Sequence, residues 1–257
     1  MVCRLCLDAD TLVKAHVIPE AFFRLLRVDD EAPLIVTDKK NKFPKKSPIG
    51  IYDKDILCNK CEPKFDRVDH YGTKIFINQR EKLFQSVSDG NKTAAFRAHG
   101  VDQKCLLQFL VATLWRASVS TQPFYKRVRL GSYEEVARQV ILNPDAPIPA
   151  SFAAVLSCWN VDEEHQTMAN GLMDPFHEKL MGVNSYRVYF GQVVAYIKVD
   201  RRPLPAPFDK LALLAQDQIT LVARDFTKSK DYVAMRQTAI SSNKNFQQAR
   251  IDRLLAK

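Results

Sequence analysis

The longest apolar stretch of the chain, Val101 to Ser120, carries Leu106, Leu107, Phe109, Leu110, Val111, Leu114 and Trp115 with few polar interruptions. A helix apolar on nearly every face belongs inside a core. Its nearly continuous part, Leu106 to Trp115, is too short to cross a bilayer, which takes ~20 residues. A second helix is expected over Ser132 to Leu142, where Ser132 and Glu135 stand at capping-box spacing and Asn143-Pro144 ends the run. After Pro147 and Pro149 the pattern turns to strands: Phe152 to Trp159, Tyr186 to Phe190, Val193 to Val199 and Ile219 to Arg224. Gly191-Gln192 between the second and third suits a two-residue hairpin turn. A polar, basic tail from about Lys230 to the end, with Phe246, Ile251, Leu254 and Leu255 as its apolar positions, reads as helix. No internal repeat or low-complexity segment is evident.

Composition narrows the class. With 46% hydrophobic and 26% charged residues, a chain of 257 can bury a real core, which excludes disorder as its dominant state. The net charge of +9 favours an anionic partner, most commonly nucleic acid. That charge is concentrated. Lys39, Lys40, Lys42, Lys45 and Lys46 crowd one short segment without an acid, and the chain beyond Leu221 is again rich in Lys and Arg. Such lysines would add salt-sensitive affinity for phosphates; a merely solubilising surface is the alternative. The first residues lack the long apolar core of a secretory signal, so the expected compartment is the cytoplasm, with the cysteines reduced.

Four of the six cysteines form two knuckles, Cys3-x-x-Cys6 and Cys58-x-x-Cys61. A two-residue gap lets a tight turn aim both thiolates at one ion, and two such turns complete a tetrahedral structural zinc site. A redox pair would need only one motif beside a βαβ pattern, which is not apparent. Cys105 and Cys158 stand alone in apolar runs and read as small buried hydrophobes. The expected organisation is α+β: a four-cysteine zinc-ribbon ββα-metal module over residues 1–80, then a mixed helical and antiparallel-sheet domain over 81–257 ending in the basic tail.

Between and after the knuckles lie Ala15-His16-Val17-Ile18-Pro19 and Glu62-Pro63-Lys64-Phe65-Asp66-Arg67-Val68-Asp69-His70. Together with the Cys-x-x-Cys pairs, these segments resemble the zinc-ribbon HNH, or ββα-metal, endonucleases over roughly the first 75 residues. The resemblance implies that His16 is the general base and Glu62, directly after the last cysteine, a ligand of one divalent cation of the Mg²⁺ or Mn²⁺ type. Glu62, Asp66 and His70 fall at i, i+4 and i+8, on one helix face, as candidate ligands, with Asp69 as a fallback. An imidazole that titrates near neutrality can take a proton from water, and a hard cation held by carboxylates can stabilise the leaving oxygen. The family usually places an acid before the histidine, where this chain has Ala15, and Asn or His after the last cysteine, where it has Glu62. The resemblance thus implies a metal-dependent DNA endonuclease, of a kind found in bacterial restriction and phage defence. It would act on DNA without a membrane, with a protein partner or second copy as a further possibility. Ala15 keeps open a non-catalytic zinc module that recognises nucleic acid or protein.

Overall fold

Alternating apolar residues along the long strands, and a helix with no polar side of its own, are both buried by one arrangement: the helix laid across a sheet. The computed structural model describes the chain except residues 28–30, 40–42, 91 and 256–257, and its side chains as far as Gln248. The strands are β1 (Leu12–His16), β2 (Leu34–Ile35), β3 (Lys45–Lys46), β4 (Tyr52–Cys58), β5 (Gln85–Asp89), β6 (Lys92–Ala98), β7 (Phe152–Asn160), β8 (Phe176–Leu180), β9 (Val183–Phe190), β10 (Val193–Val199) and β11 (Ile219–Asp225). The helices are α1 (Glu20–Arg24), α2 (Asp66–Thr73), α3 (Arg80–Leu83), α4 (Gln103–Val119), α5 (Tyr133–Leu142), α6 (Gln166–Ala169), α7 (Phe208–Leu211) and α8 (Lys230–Leu255). The fold is α+β, and among the described residues no helix is long and apolar enough to cross a membrane.

Seven strands form one sheet in the order β5-β6-β11-β7-β10-β9-β8. Its neighbours are antiparallel except β7 and β11, which run parallel, so the expected antiparallel sheet contains one parallel pair. A parallel neighbour requires a long crossover, and the chain between Asn160 and Ile219 supplies it while building the β8–β9–β10 meander. The β9–β10 hairpin turns at Gly191-Gln192 as expected; Gly191 has φ +65°, the left-handed conformation that glycine adopts without strain.

Helix α4 is buried over nearly its whole length, and the Asp102 side chain caps it by accepting from the Cys105 amide (2.9 Å). Phe109 of α4 and Phe190 of β9 lie 5.0 Å apart between ring centroids, and Phe22 and Phe76 pack on both at 5.2–6.2 Å. The core is therefore continuous across residue 80: rings from the cysteine-bearing segment and from the later sheet fill the same space. Helix α2 approaches α4 closely because Gly72 has no side chain; a Cβ there would meet the Phe109 ring at 2.5 Å. The capping box expected at Ser132 does not form. Ser132 makes no side-chain cap bond, and Glu135 instead accepts from Arg138 and Gln139.

The outer face of the same sheet is fastened differently. Between β8 and β10, Arg187 lies 5.3 Å from the Phe176 ring and 5.0 Å from the Tyr196 ring. Its guanidinium also makes a two-pronged pair with Glu178 (2.8 Å for both bonds) and donates to Asp231 of α8 (2.7 Å). The stack continues on either side: Arg127 lies over Phe176, and Arg224 over Trp159. Alternating cations and rings thus tie β8–β11 together and mount the start of α8.

Candidate metal centre

Strands β1 and β4 pair antiparallel, with Leu12 opposite Cys58 at one end and His16 opposite Tyr52 at the other. The first knuckle is held against β4 by the Arg4 amide, which donates to the Ile56 carbonyl (2.8 Å). The second is closed by the Cys61 amide donating to the Cys58 carbonyl (3.0 Å). All four sulfurs lie within 4.8 Å of one another, with Cys6 and Cys58 at 4.0 Å. Four thiols so close could hold a metal ion such as zinc. Among the described residues no other group of three or more Cys, His, Asp or Glu side chains is gathered to this degree.

The electrostatics at the sulfurs are divided. Burial works against ionising Cys3, but backbone amides of Cys6, Cys58 and Leu5 outweigh it and bring the thiol down to about 7. Cys61 is pushed well up, first by burial and then by the sulfurs around it. Thiolates cannot crowd together in a partly desolvated site unless a cation stands between them.

His16 ends β1, half-buried, its ring edge-on to Tyr52 at 6.1 Å. Its Nε2–H donates to the Ile49 carbonyl (2.8 Å). A carbonyl can only accept, so the neutral ring is fixed as the Nε2–H tautomer and its lone pair resides on Nδ1. Ala15 before it is buried. Glu62 begins the 3₁₀ turn Glu62–Phe65 that follows the second knuckle, with Pro63 suited to that first turn. Its carboxyl titrates above the ordinary range. Burial is the main cause; Asp66 and then Asp69 add repulsion, while Arg116 and His16 pull the other way. His16 is thus near enough to be felt by Glu62, and Asp66 near enough to repel it.

The other candidate ligands are less well placed. Asp66 and His70 are exposed on α2 and are not drawn together with Glu62 into a three-ligand cluster. Asp69 is engaged: Arg116 donates to both of its oxygens, at 2.6 and 2.7 Å. Arg116 is only 3% exposed, its guanidinium 4.5 Å from the centre of the Phe65 ring. In the sequence Arg116 is one basic residue near the end of the apolar helix. The signal for its role is an arginine within an apolar run, which requires an acid from elsewhere. Asp53 on β4 carries no such signal; fully buried, it accepts from Ser120 Oγ, Thr121 N and Thr121 Oγ1 (2.7, 2.7 and 3.0 Å) after α4. Burial opposes its ionisation, yet these bonds and the Asp55 amide hold it below the usual carboxylate range.

Of the lysine segment, Lys39, Lys45 and Lys46 are exposed, and Lys46 pairs with Glu31 (2.9 Å); Lys40 and Lys42 lie outside the described residues. This segment meets the basic tail. The Thr37 amide donates to Ser242 Oγ (3.4 Å) and Asn245 to the Lys39 carbonyl (3.2 Å), which brings the backbone at Lys39 onto α8, one residue along from exposed Lys244. Two basic segments far apart in sequence therefore share one surface.

No family model matches the chain, and no curated protein or solved structure matches it.

Proposed function

We propose that the protein is a metal-dependent DNA endonuclease of the HNH type, with zinc held by Cys3, Cys6, Cys58 and Cys61 as a structural ion. A tetrahedral zinc with sulfurs at about 2.3 Å brings neighbouring sulfurs to about 3.8 Å, close to the Cys6–Cys58 separation of 4.0 Å. The observation that carries the catalytic reading is the environment of Glu62. It is a partly desolvated carboxylate with acidic neighbours, within the electrostatic reach of His16, whose Nε2–H is held by the Ile49 carbonyl. Ionised carboxylates in that setting are relieved by a cation, and Glu62 and Asp66 are the residues that would hold Mg²⁺ or Mn²⁺. Such an ion, when bound, would stabilise charge on the departing oxygen.

His16 Nδ1 takes a proton from water as the water oxygen bonds to phosphorus. The ester P–O bond breaks, and the ring, held by Ile49, keeps its orientation while it carries the proton. Arg116 holds Asp69 and so anchors α2, which carries Asp66 and follows the turn that bears Glu62. Lys39, Lys45 and the α8 surface follow the phosphate backbone outside the site.

Nicking of supercoiled plasmid with Mg²⁺ or Mn²⁺ tests this. His16→Ala and Glu62→Gln should each lose about a hundredfold or more, as expected for a general base or a metal ligand, with zinc content unchanged. Equal nicking by parent and His16→Ala would reject the assignment. Buried Ala15, where an acid would otherwise stand, favours one second reading: a non-catalytic zinc module that binds nucleic acid. DNA binding without cutting in either metal would select it.

A further inference from the structure

A cavity of about 290 Å³ lies where α3 faces the β5–β6–β11–β7 half of the sheet, and neither His16 nor the four clustered cysteines line it. Its floor and wall are apolar: Phe84, Phe96 and Leu221. Into it come one guanidinium, Arg80, and one amide, Gln192, from segments 112 positions apart.

We propose that this cavity binds a ring-sized organic oxyanion, with its carboxylate or phosphate on Arg80 and Gln192 and its ring against Phe84, Phe96 and Leu221. Charge balance is the first argument. The Arg80 side chain is only 20% exposed, yet its close partners are neutral: Nη1 donates to Gln192 Oε1 at 2.7 Å and to Cys158 Sγ at 3.5 Å. Among the described residues its one carboxylate partner, Glu81, stands 3.9 Å away with 88% of its side chain in solvent. Two more deeply buried arginines, Arg116 and Arg187, are each held two-pronged by a carboxylate at 2.8 Å or less. A guanidinium largely withdrawn from water, with only a distant and exposed counter-ion, is costly, and an incoming oxyanion supplies a closer one. Cys158 is a poor substitute, since burial pushes its thiol up, away from ionisation.

Gln192 is the second argument. It is 8% exposed, and its oxygen is occupied by Arg80. Among the described residues no acceptor takes its NH₂ group, which is left beside the guanidinium as a second donor for the same anion. The volume sets the size. At the low end of the roughly 300–1,000 Å³ usual for ligand cavities, it has the size for an aromatic acid or a mononucleotide and excludes a dinucleotide. This site does not depend on the nuclease reading and needs no metal.

Calorimetry and thermal shift on the full chain test it, with benzoate, indole-3-carboxylate, AMP, inorganic phosphate and neutral indole as probes. A ring carboxylate or AMP should bind and raise the melting temperature, whereas phosphate and indole alone should do much less. Binding of carboxylates without AMP, or the reverse, distinguishes an aromatic acid from a nucleotide. Arg80→Gln should weaken binding about tenfold or more, the usual cost of losing a charged hydrogen bond. Ser86→Phe, at an exposed position on the rim, fills the opening while it leaves the bonds among Arg80, Gln192 and Cys158 intact, and it decides the matter if Arg80→Gln folds poorly. Failure of every ring oxyanion to bind at millimolar concentration would overturn the site. So would indole binding as tightly as its carboxylate, or affinity unchanged in both variants.

Discussion

The hairpin with its following helix and the outer face of the seven-stranded sheet both concentrate charge, but they balance it in opposite ways. On the sheet, Arg187 receives Glu178, Asp231 and two aromatic faces, all from the chain itself. Around the hairpin, four sulfurs crowd together and Glu62 stands among acids, with no ion-pair partner among the described residues. Arg116, the nearest candidate, is already committed to both oxygens of Asp69. Charges that the fold neutralises internally fasten elements together. Charges it leaves unbalanced mark places where something from outside is expected, a cation at the hairpin and an anion at Arg80.

The comparison breaks most sharply at the sulfurs. Cys58→Ser, or removal of the metal by a chelator, should abolish metal binding and remove several kcal/mol of stability, since metal-binding energy in such sites is folding energy. Because Phe22 and Phe76 share their core with Phe109 and Phe190, melting followed by circular dichroism should fall for the whole chain at once. A metal-free protein with unchanged melting would erase the distinction between the two regions. On the balanced side, Arg187→Ala leaves Asp231, 4% exposed, without its counter-ion and should cost about 3–5 kcal/mol by urea denaturation. A loss below about 1 kcal/mol would show that the outer face is ordinary packing.

Asp53 tests the seam between the two regions. Asp53→Ala should cost roughly 2–3 kcal/mol at neutral pH, as the Ser120 and Thr121 donors lose a charged acceptor. Its folded pKa is depressed, so its contribution is present above the unfolded value near 3.8 and lost as pH falls through the folded one. The gap between parent and variant should therefore close on acidification below about pH 4; a constant gap would contradict the assignment. The smallest effect lies at the basic surface. Lys45→Ala with Lys39→Ala should weaken DNA binding uniformly and lower the salt slope by about 0.9 for each phosphate that is no longer neutralised. An unchanged slope would make those lysines a solubilising surface only.

What can be read along the chain is whatever is local. The Cys-x-x-Cys pairs, the apolar helix α4, the hairpin at Gly191 and the helical tail are each determined within a few residues, by knuckle geometry, hydrophobic period or turn chemistry. Strands β5, β6 and β8 are not legible, because Gln85–Asp89, Lys92–Ala98 and Phe176–Leu180 carry few large apolar residues and take their structure from the strands they join. The Ser132 box fails for a related reason: Arg138 and Gln139 compete successfully for Glu135.

The sequence by itself determined which residues could ligate a metal and which helix must be buried, since sulfur spacing and apolar period are properties of neighbours along the chain. Only the tertiary structure decided that Arg116 takes Asp69, that Asp53 joins β4 to the end of α4, and that Arg80 meets Gln192 with only the exposed Glu81 carboxylate 3.9 Å away. Each of those pairings spans 47 positions or more, and its strength depends on burial that no local pattern specifies.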